Sequence, residues 1–373
     1  MSTFDASALA NSYIAELTPY QPGKPIEEVE RELGIKSAIK LASNENPLGA
    51  SPLAIKAAID ALQKMHFYPD GGCFELKKAL AAFLNVDANQ LTLGNGSENV
   101  LEIIVKAYLA PGDAAVISQY AFLTIPLLIK SYGAELIVVP AKQFGHDIEK
   151  MAAAVTDKTR LLFIVNPNNP TGTYTTQQEL VYLLNSIPKH VIVVVDEAYH
   201  EYISQQDYPD TIALLQQYPN LIISRTFSKA YGLAALRLGY AVSSPELAQI
   251  LNRARLPFNV NLIADVAARA ALQDQEHIRR SVELNQKGMV QLRAGLDQLH
   301  VKYIPSLGNF ITMNVGKAVD VYQKLLLEGV IVRPLGAYDM PNFIRVTIGT
   351  IEQNKRFLGA LERTLLLSPL REV

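Results

Sequence analysis

Three residues with the chemistry of a carbonyl and an anion stand close together in the chain. They are Ser228, Lys229 and, eight positions further on, Arg237, within Ser224-Arg225-Thr226-Phe227-Ser228-Lys229-Ala230-Tyr231-Gly232-Leu233-Ala234-Ala235-Leu236-Arg237. The apolar Leu221-Ile222-Ile223 before them reads as a short strand, which puts Lys229 on the loop that follows. A primary amine forms a Schiff base with a carbonyl. A guanidinium offers a planar fork to phosphate, and a hydroxyl adds a neutral donor. The set suits a phosphorylated aldehyde, and pyridoxal 5'-phosphate carries both partner groups.

A lysine after a strand is ordinarily a solvated loop residue, so the elements that would position it have to be read as well. Short apolar runs alternate with amphipathic stretches: Ala114 to Ser118, Leu136 to Val139, Leu161 to Val165, Val191 to Val195 and Leu221 to Ser224. Runs of this kind are expected as parallel strands buried on both faces between helices, so the fold class is α/β. In such sheets ligands collect beyond the carboxyl ends of the strands. The residues there are Gln119-Tyr120-Ala121-Phe122, with aromatics for a flat ring, Asn166-Pro167-Asn168-Asn169-Pro170-Thr171-Gly172, and Asp196-Glu197-Ala198-Tyr199. The Asn169 amide suits a ring oxygen. Asp196 suits a pyridinium nitrogen, since at about 4 Å and an effective dielectric near 20 such a pair is worth roughly 4 kcal/mol before desolvation. That limits the shift in the ring's pKa to about three units. Singly, Asp196 reads as a helix cap and Tyr199 as a core residue; delivered in this order by successive strand ends, they read as a site.

Leu91-Thr92-Leu93 leads into Gly94-Asn95-Gly96-Ser97 and a helix expected from Glu98 to Leu109, with Ser97 as a candidate N-cap. A Gly-rich helix start presents backbone N–H groups and a favourable dipole to an anion. Asn99 stands where a dinucleotide fingerprint would have its third glycine.

Composition narrows the class further. The chain has 373 residues, 49% hydrophobic and 19% charged, enough for a large core and about two domains. With 34 basic against 36 acidic residues and no long basic run, nothing points to nucleic acid or an anionic membrane as partner. Cys73 is the one cysteine, no Cys/His cluster has zinc spacing, and the first residues show no signal-peptide pattern, so a cytoplasmic location without metal is expected. The most apolar long window, Ala107 to Ile129, is broken by Pro111-Gly112-Asp113 and is not expected to span a membrane.

The segments Asn166 to Gly172, Asp196 to Tyr199 and Ser228 to Arg237 closely resemble the fold-type I pyridoxal-phosphate aminotransferases. Further stretches resemble the histidinol-phosphate aminotransferase family: Leu17-Thr18-Pro19-Tyr20, Leu41 to Gly49, Tyr68-Pro69-Asp70-Gly71, Gly329 to Pro334 and Ile344 to Thr350. The resemblance runs from about residue 17 to 365. It implies a large cofactor-binding domain with a mostly parallel sheet over residues 46–258, a smaller α+β domain over 259–373, and an N-terminal arm, 1–45, that joins the small domain. It implies that Lys229 forms the Schiff base and moves the proton, that Asp196 pairs with the ring nitrogen, that Asn169 and Tyr199 bond the phenolic oxygen, and that Phe122 stacks on the ring. Gly96, Ser97, Thr226, Ser228 and Arg237 would hold the phosphate, with Tyr68 supplied by a second copy in a homodimer. Tyr20 and Arg333 would contact a substrate phosphate, and Arg345 a substrate carboxylate. One departure is Ile125, where many relatives carry Tyr; it is expected to reshape the substrate pocket. The implied reaction is transfer of an amino group from histidinol phosphate to 2-oxoglutarate. Transamination of phenylalanine or tyrosine, decarboxylation of threonine phosphate, and cofactor sensing without turnover remain as alternatives.

Overall fold

The computed structural model describes residue 4, residues 6–19 and residues 23–366 of the chain. Tyr20 lies outside the described residues. The centre is a seven-stranded sheet in the order Leu91–Gly94, Gly239–Ser243, Leu221–Thr226, Ile192–Asp196, Thr159–Val165, Ala114–Ser118, Glu135–Val139. Neighbours pair in parallel except at Gly239–Ser243, which is antiparallel to both Leu221–Thr226 and Leu91–Gly94. The expected α/β sheet is therefore present, with one reversed strand that alternation of apolar runs did not disclose.

Successive residues of a strand face opposite sides of a sheet, and here both sides are dry. Val193 and Val195 join Leu162, Ile164, Ile223 and the helical residues Leu76, Leu80 and Ala267 in one core; Ile192 and Val194 join Leu161, Phe163, Leu101 and Ile104 in another. This is why the strands read as unbroken apolar runs. A third core belongs to a four-stranded antiparallel sheet, Arg333–Pro334, Phe343–Thr347, Phe310–Asn314 and Tyr303–Ile304, in which Ile311, Met313, Ile344 and Val346 meet Phe357 and Leu361 of the final helix, Ile351–Leu366.

Residues 262–298 form two successive helices. Asp274 leaves helical geometry at φ −99° and ψ 65°, and its side chain accepts from the His277 N–H, so Leu262–Gln273 stops and Gln275–Gln298 begins. Ile278 of the second helix packs with the large-sheet core and Met289, Leu292 and Leu296 with the small one, so one element spans both.

Ser97 is the first helical residue of Ser97–Tyr108, and the N-cap is Gly96 at φ 87° and ψ 162°, a conformation that favours glycine and corrects the expected Ser97 cap. Asn99 takes a loop-building role instead of making room for a dinucleotide: its Oδ1 accepts from Asn95 N–H at 3.0 Å and from Asn259 Nδ2 at 3.1 Å. Beneath this turn passes Gly239, where a Cβ would sit 2.4 Å from Ser97 N and 2.7 Å from the Gly96 carbonyl carbon. Gly239→Ala should therefore overpack the strand against backbone and destabilise the protein by about 1–3 kcal/mol. The urea midpoint checks this, and an unchanged midpoint would show that the turn has slack.

Candidate active site

Two central strands, Thr159–Val165 and Ile192–Asp196, end side by side, and Leu221–Thr226 runs two residues past them. Val165 pairs with Asp196 and Asp196 with Ser224, so the segments that follow leave the sheet close together. They close around a cavity of about 220 Å³ lined by Ser97, Phe122, Asn169, Asp196, Tyr199, Thr226, Ser228, Lys229 and Arg237, together with Ser43, Glu45 and Glu98. Residues as far apart in the chain as Ser43 and Arg237 thus meet at the strand ends.

Asp196 and Glu197 are neighbours with opposite surroundings. Glu197 is wholly buried, and its carboxylate is fully engaged: Arg225 Nε and Nη2 donate to Oε2 at 2.9 and 2.8 Å, and Thr211 Oγ1 and Tyr208 Oη donate to Oε1 at 3.0 and 3.3 Å. Asp196 lines the cavity, and its buried Oδ1 has no hydrogen-bond partner. Burial, reinforced by the Glu197 charge, pushes the Asp196 carboxyl up to about 7. A buried carboxylate oxygen without a donor is costly, and a protonated ring nitrogen is the kind of donor that would satisfy it.

Lys229 donates from Nζ to the Ser43 carbonyl at 3.2 Å and lies 5.7 Å from the centre of the Tyr199 ring. Burial first, and the nearby Arg345 guanidinium second, bring its amine down to about 8. A sizeable fraction is then unprotonated near neutral pH, as a nucleophilic amine requires. Tyr199, held at the edge of the Phe310 ring with centroids 5.2 Å apart, is pushed up to about 12 by burial and stays a hydroxyl donor.

The other end of the cavity is an anion cradle. Arg237 Nη1 donates to the Ala234 carbonyl at 3.1 Å and approaches Ser228 Oγ at 3.5 Å, and Ser228 N–H donates to Thr226 Oγ1 at 3.1 Å. A Cβ on Gly96 would lie 2.3 Å from Arg237 Nη2, so only glycine leaves room for the guanidinium beside the helix start. Glu98 completes the rim, with Arg237 Nη2 at 3.4 Å and Thr124 Oγ1 donating to it at 3.1 Å. The donor set fits a phosphate.

Arg345 reaches the site from the small sheet. Its Nη1 donates to Asn169 Oδ1 and its Nη2 to the Ala42 carbonyl at 2.8 Å, with the guanidinium 5.5 Å from the Phe310 ring centre. Arg333 is its direct partner on the adjoining strand, so the two share one face of that sheet.

Some expected residues lie elsewhere. Tyr68 is 84% exposed, stacks on Phe258 with centroids 5.0 Å apart, and does not line the cavity of its own chain. Ile125 is fully buried among Leu101, Ile104 and Ile129; its helix turns it into the core, so it does not reshape the pocket as expected. The sequence reading missed Ser43, Asn44, Glu45 and Glu98; the polar Asn-Glu-Asn-Pro turn in Leu41 to Gly49 was the signal for the first three, and Glu98 had none. A wider cleft of about 830 Å³ between the Lys142–Glu149 segment and Tyr303–Pro305 contains no comparable grouping of amine, carboxylate and anion cradle. Among the described residues, no helix is long and apolar enough to cross a membrane and no group of His, Cys, Asp or Glu could hold a metal ion.

The model of the aminotransferase class I and II family matches residues 36–361, and the chain belongs to that family. Among its relatives, histidinol-phosphate aminotransferase 1 of Nitrosococcus oceani is 53% identical over 358 residues, covering 96% of this chain and 97% of that one. Histidinol-phosphate aminotransferase 2 of Pseudomonas fluorescens (strain Pf0-1) is 53% identical over 361 residues, covering 96% and 98%. The crystal structure of histidinol-phosphate aminotransferase from Sinorhizobium meliloti in complex with pyridoxal-5'-phosphate superposes with a TM-score of 0.89 at 28% identity, covering 98% of this chain and 99% of that one.

The raised Asp196 carboxyl has a consequence for stability in the ligand-free protein. A carboxyl whose folded value lies above its ordinary value favours the folded state only while protonated, so its cost develops as pH rises from about 4 to about 7. Asp196→Asn removes that cost. In urea unfolding, the variant should gain on the native protein by about 1.4 kcal/mol for each pH unit across that window. Parallel pH profiles would show that Asp196 is ionised at its ordinary value.

Proposed function

We propose that this chain is a pyridoxal 5'-phosphate-dependent aminotransferase that takes the amino group of L-histidinol phosphate and passes it to 2-oxoglutarate, giving imidazole acetol phosphate and L-glutamate. The observation that carries the chemistry is the convergence on one cavity of the Lys229 amine, the unpartnered Asp196 oxygen and the cradle formed by Ser97, Thr226, Ser228 and Arg237. The substrate rests on the relatives that share 53% of this chain's residues over nearly its whole length.

The cofactor supplies an aldehyde that condenses with amines and a ring that takes up the negative charge left when the substrate's α-carbon loses a proton. Around it the chain's residues divide the work. Lys229 Nζ would anchor the aldehyde, then remove the α-proton and deliver it, across the amino nitrogen, to the carbon that was the cofactor's aldehyde. Asp196 Oδ1 would hold a proton on the ring nitrogen. Asn169 and Tyr199 would face the phenolic oxygen, and Phe122 would cover the ring. The helix start at Gly96-Ser97, with Thr226, Ser228 and Arg237, would fix the phosphate end.

Arg345 would take the carboxylate of glutamate and 2-oxoglutarate. Arg333, opposite it in the same sheet, would favour the phosphate of histidinol phosphate, with Tyr20 from the arm. Two like charges side by side are unfavourable without an anion, and both substrates bring one. One site thereby accepts a phosphate and a dicarboxylate in turn.

The reading includes a cytoplasmic homodimer with shared sites. Cys73, the single cysteine, is buried and its thiol is pushed up to about 11 by burial, which suits a reducing compartment. The support for the dimer is a set of exposed large apolar residues, Ile55, Ile59, Leu62, Met65, Phe67, Leu256 and Phe258, which water disfavours and a second copy would cover. Ile55, Ile59 and Leu62 line one groove with Gly232, Leu233 and Leu236, the segment that leads to Arg237. Tyr68 stands on that surface, where its hydroxyl would serve the second copy's phosphate.

Mixing the cofactor-loaded enzyme with histidinol phosphate, phenylalanine or threonine phosphate and following the loss of the visible cofactor band in a single turnover tests the substrate. Fastest loss with histidinol phosphate, restored by 2-oxoglutarate, is expected; fastest loss with phenylalanine would make the enzyme an aromatic aminotransferase. Arg333→Ala should lower kcat/KM for histidinol phosphate by about tenfold or more, as loss of a charged hydrogen bond does, with a much smaller loss for glutamate. Equal losses for both would remove its phosphate role.

A further inference from the structure

Asn44 touches no cavity, yet three elements of the site converge on it. It is 1% exposed and lies at φ 55°, one residue after the carbonyl that receives Lys229 Nζ. Its backbone N–H donates to Thr347 Oγ1 at 2.9 Å, its Oδ1 lies 3.2 Å from the same hydroxyl, its Nδ2 donates to Tyr199 Oη at 2.8 Å, and its carbonyl accepts from Asn309 Nδ2 at 2.9 Å. Thr347 ends the strand that carries Arg345.

The donors and acceptors in this chain of bonds leave one consistent direction. The Asn44 N–H can only donate, so Thr347 Oγ1 accepts from it, and the threonine's single proton goes to Asn44 Oδ1. That turns the amide so that Nδ2 faces Tyr199. An amide NH2 also only donates, so Tyr199 Oη accepts, and its own proton cannot point back towards Asn44. The hydroxyl makes no second hydrogen bond among the described residues. Tyr199 lines the cavity, so the proton is directed there.

We propose that Asn44 is a positioning residue that, with Thr347, fixes the Tyr199 hydroxyl as a donor into the cavity, towards the phenolic oxygen of the bound cofactor. The inference rests on the proposed cofactor. It ties the donor on the large-sheet side to the strand that holds the substrate-anion arginine: seating that strand sets the direction of the Tyr199 proton. Donation to the phenolic oxygen favours the form of the Lys229 Schiff base that has lost its nitrogen proton, because that form carries more negative charge on the oxygen. The nitrogen's pKa is therefore held down.

The test is a pH titration of the visible band of the cofactor-loaded, substrate-free enzyme. Tyr199→Phe should move the midpoint upward by about one to two pH units, the worth of a hydrogen bond to a charged group. Asn44→Ala and Thr347→Val should each move it in the same direction by a large part of that amount. The double variant Asn44→Ala/Tyr199→Phe should move it no further than Tyr199→Phe alone, since the effect passes through one hydroxyl. Thr347→Val leaves Asn44 in place and keeps the test available if the buried alanine disturbs folding. Native midpoints in Asn44→Ala and Thr347→Val, beside a shifted Tyr199→Phe, would overturn the positioning role and leave the cofactor reading intact. A native enzyme without a visible band would overturn the cofactor reading and this inference with it.

Discussion

The site is organised around a buried carboxylate oxygen that has no protein partner. Asp196 ends a central strand beside Val165, the last residue of one neighbour, and Ser224, near the end of the other, and that register decides which loops can reach it. Its neighbour Glu197 shows the alternative: the same chemistry one residue on is tied down by Arg225, Thr211 and Tyr208. Two adjacent acidic residues thus serve different ends because a strand turns them to opposite sides. Asp196 keeps its carboxyl high, near neutrality, by burial, and a cationic ring nitrogen would bring it back to the charged form. The lowered Lys229 amine belongs to the same dry enclosure: burial disfavours charge on both groups, which leaves the carboxyl in need of a cationic partner and the amine readier to attack a carbonyl.

The two sheets are joined at this enclosure by the segment before the first helix of the large domain. Leu41 receives the Thr347 N–H, Ala42 receives Arg345, Ser43 receives Lys229, Asn44 meets Tyr199, Thr347 and Asn309, and Asn46 donates to the Ala230 carbonyl and Ser281. Three successive backbone carbonyls, those of Leu41, Ala42 and Ser43, therefore set the distance between the arginine-bearing strand and the lysine-bearing loop. Buried polar groups of this density have to be mutually satisfied, which makes the segment a rigid strut between the two sheets.

Much of the fold was legible because apolar runs and helix signals are local. The strand at 114–118 falls where its apolar run places it, and the runs at 161–165 and 221–224 lie within the strands Thr159–Val165 and Leu221–Thr226. The reversed strand Gly239–Ser243 was not, since direction depends on the length and path of the connection rather than on composition. Gly96 displaced Ser97 as the cap because its φ of 87° and the Arg237 guanidinium beside it favour a residue without a side chain, a long-range constraint that local capping preference does not contain. Ile125 was misplaced for a similar reason: spacing from Phe122 does not reveal which helix face is buried. Strand-end residues such as Asn169, Asp196 and Lys229 could be named as a group because the rule that ligands gather there is topological. Asn44 could not, because its importance lies wholly in partners more than 150 positions away.

The most direct test of the account is the identity of the lysine that carries the cofactor. Reduction of the loaded enzyme with borohydride converts the Schiff base to a stable secondary amine, and peptide mass mapping then locates it. Pyridoxyl mass on the peptide containing Lys229, and on no other, is the predicted result. Label on a different lysine, or a fully loaded enzyme that yields none, would contradict it.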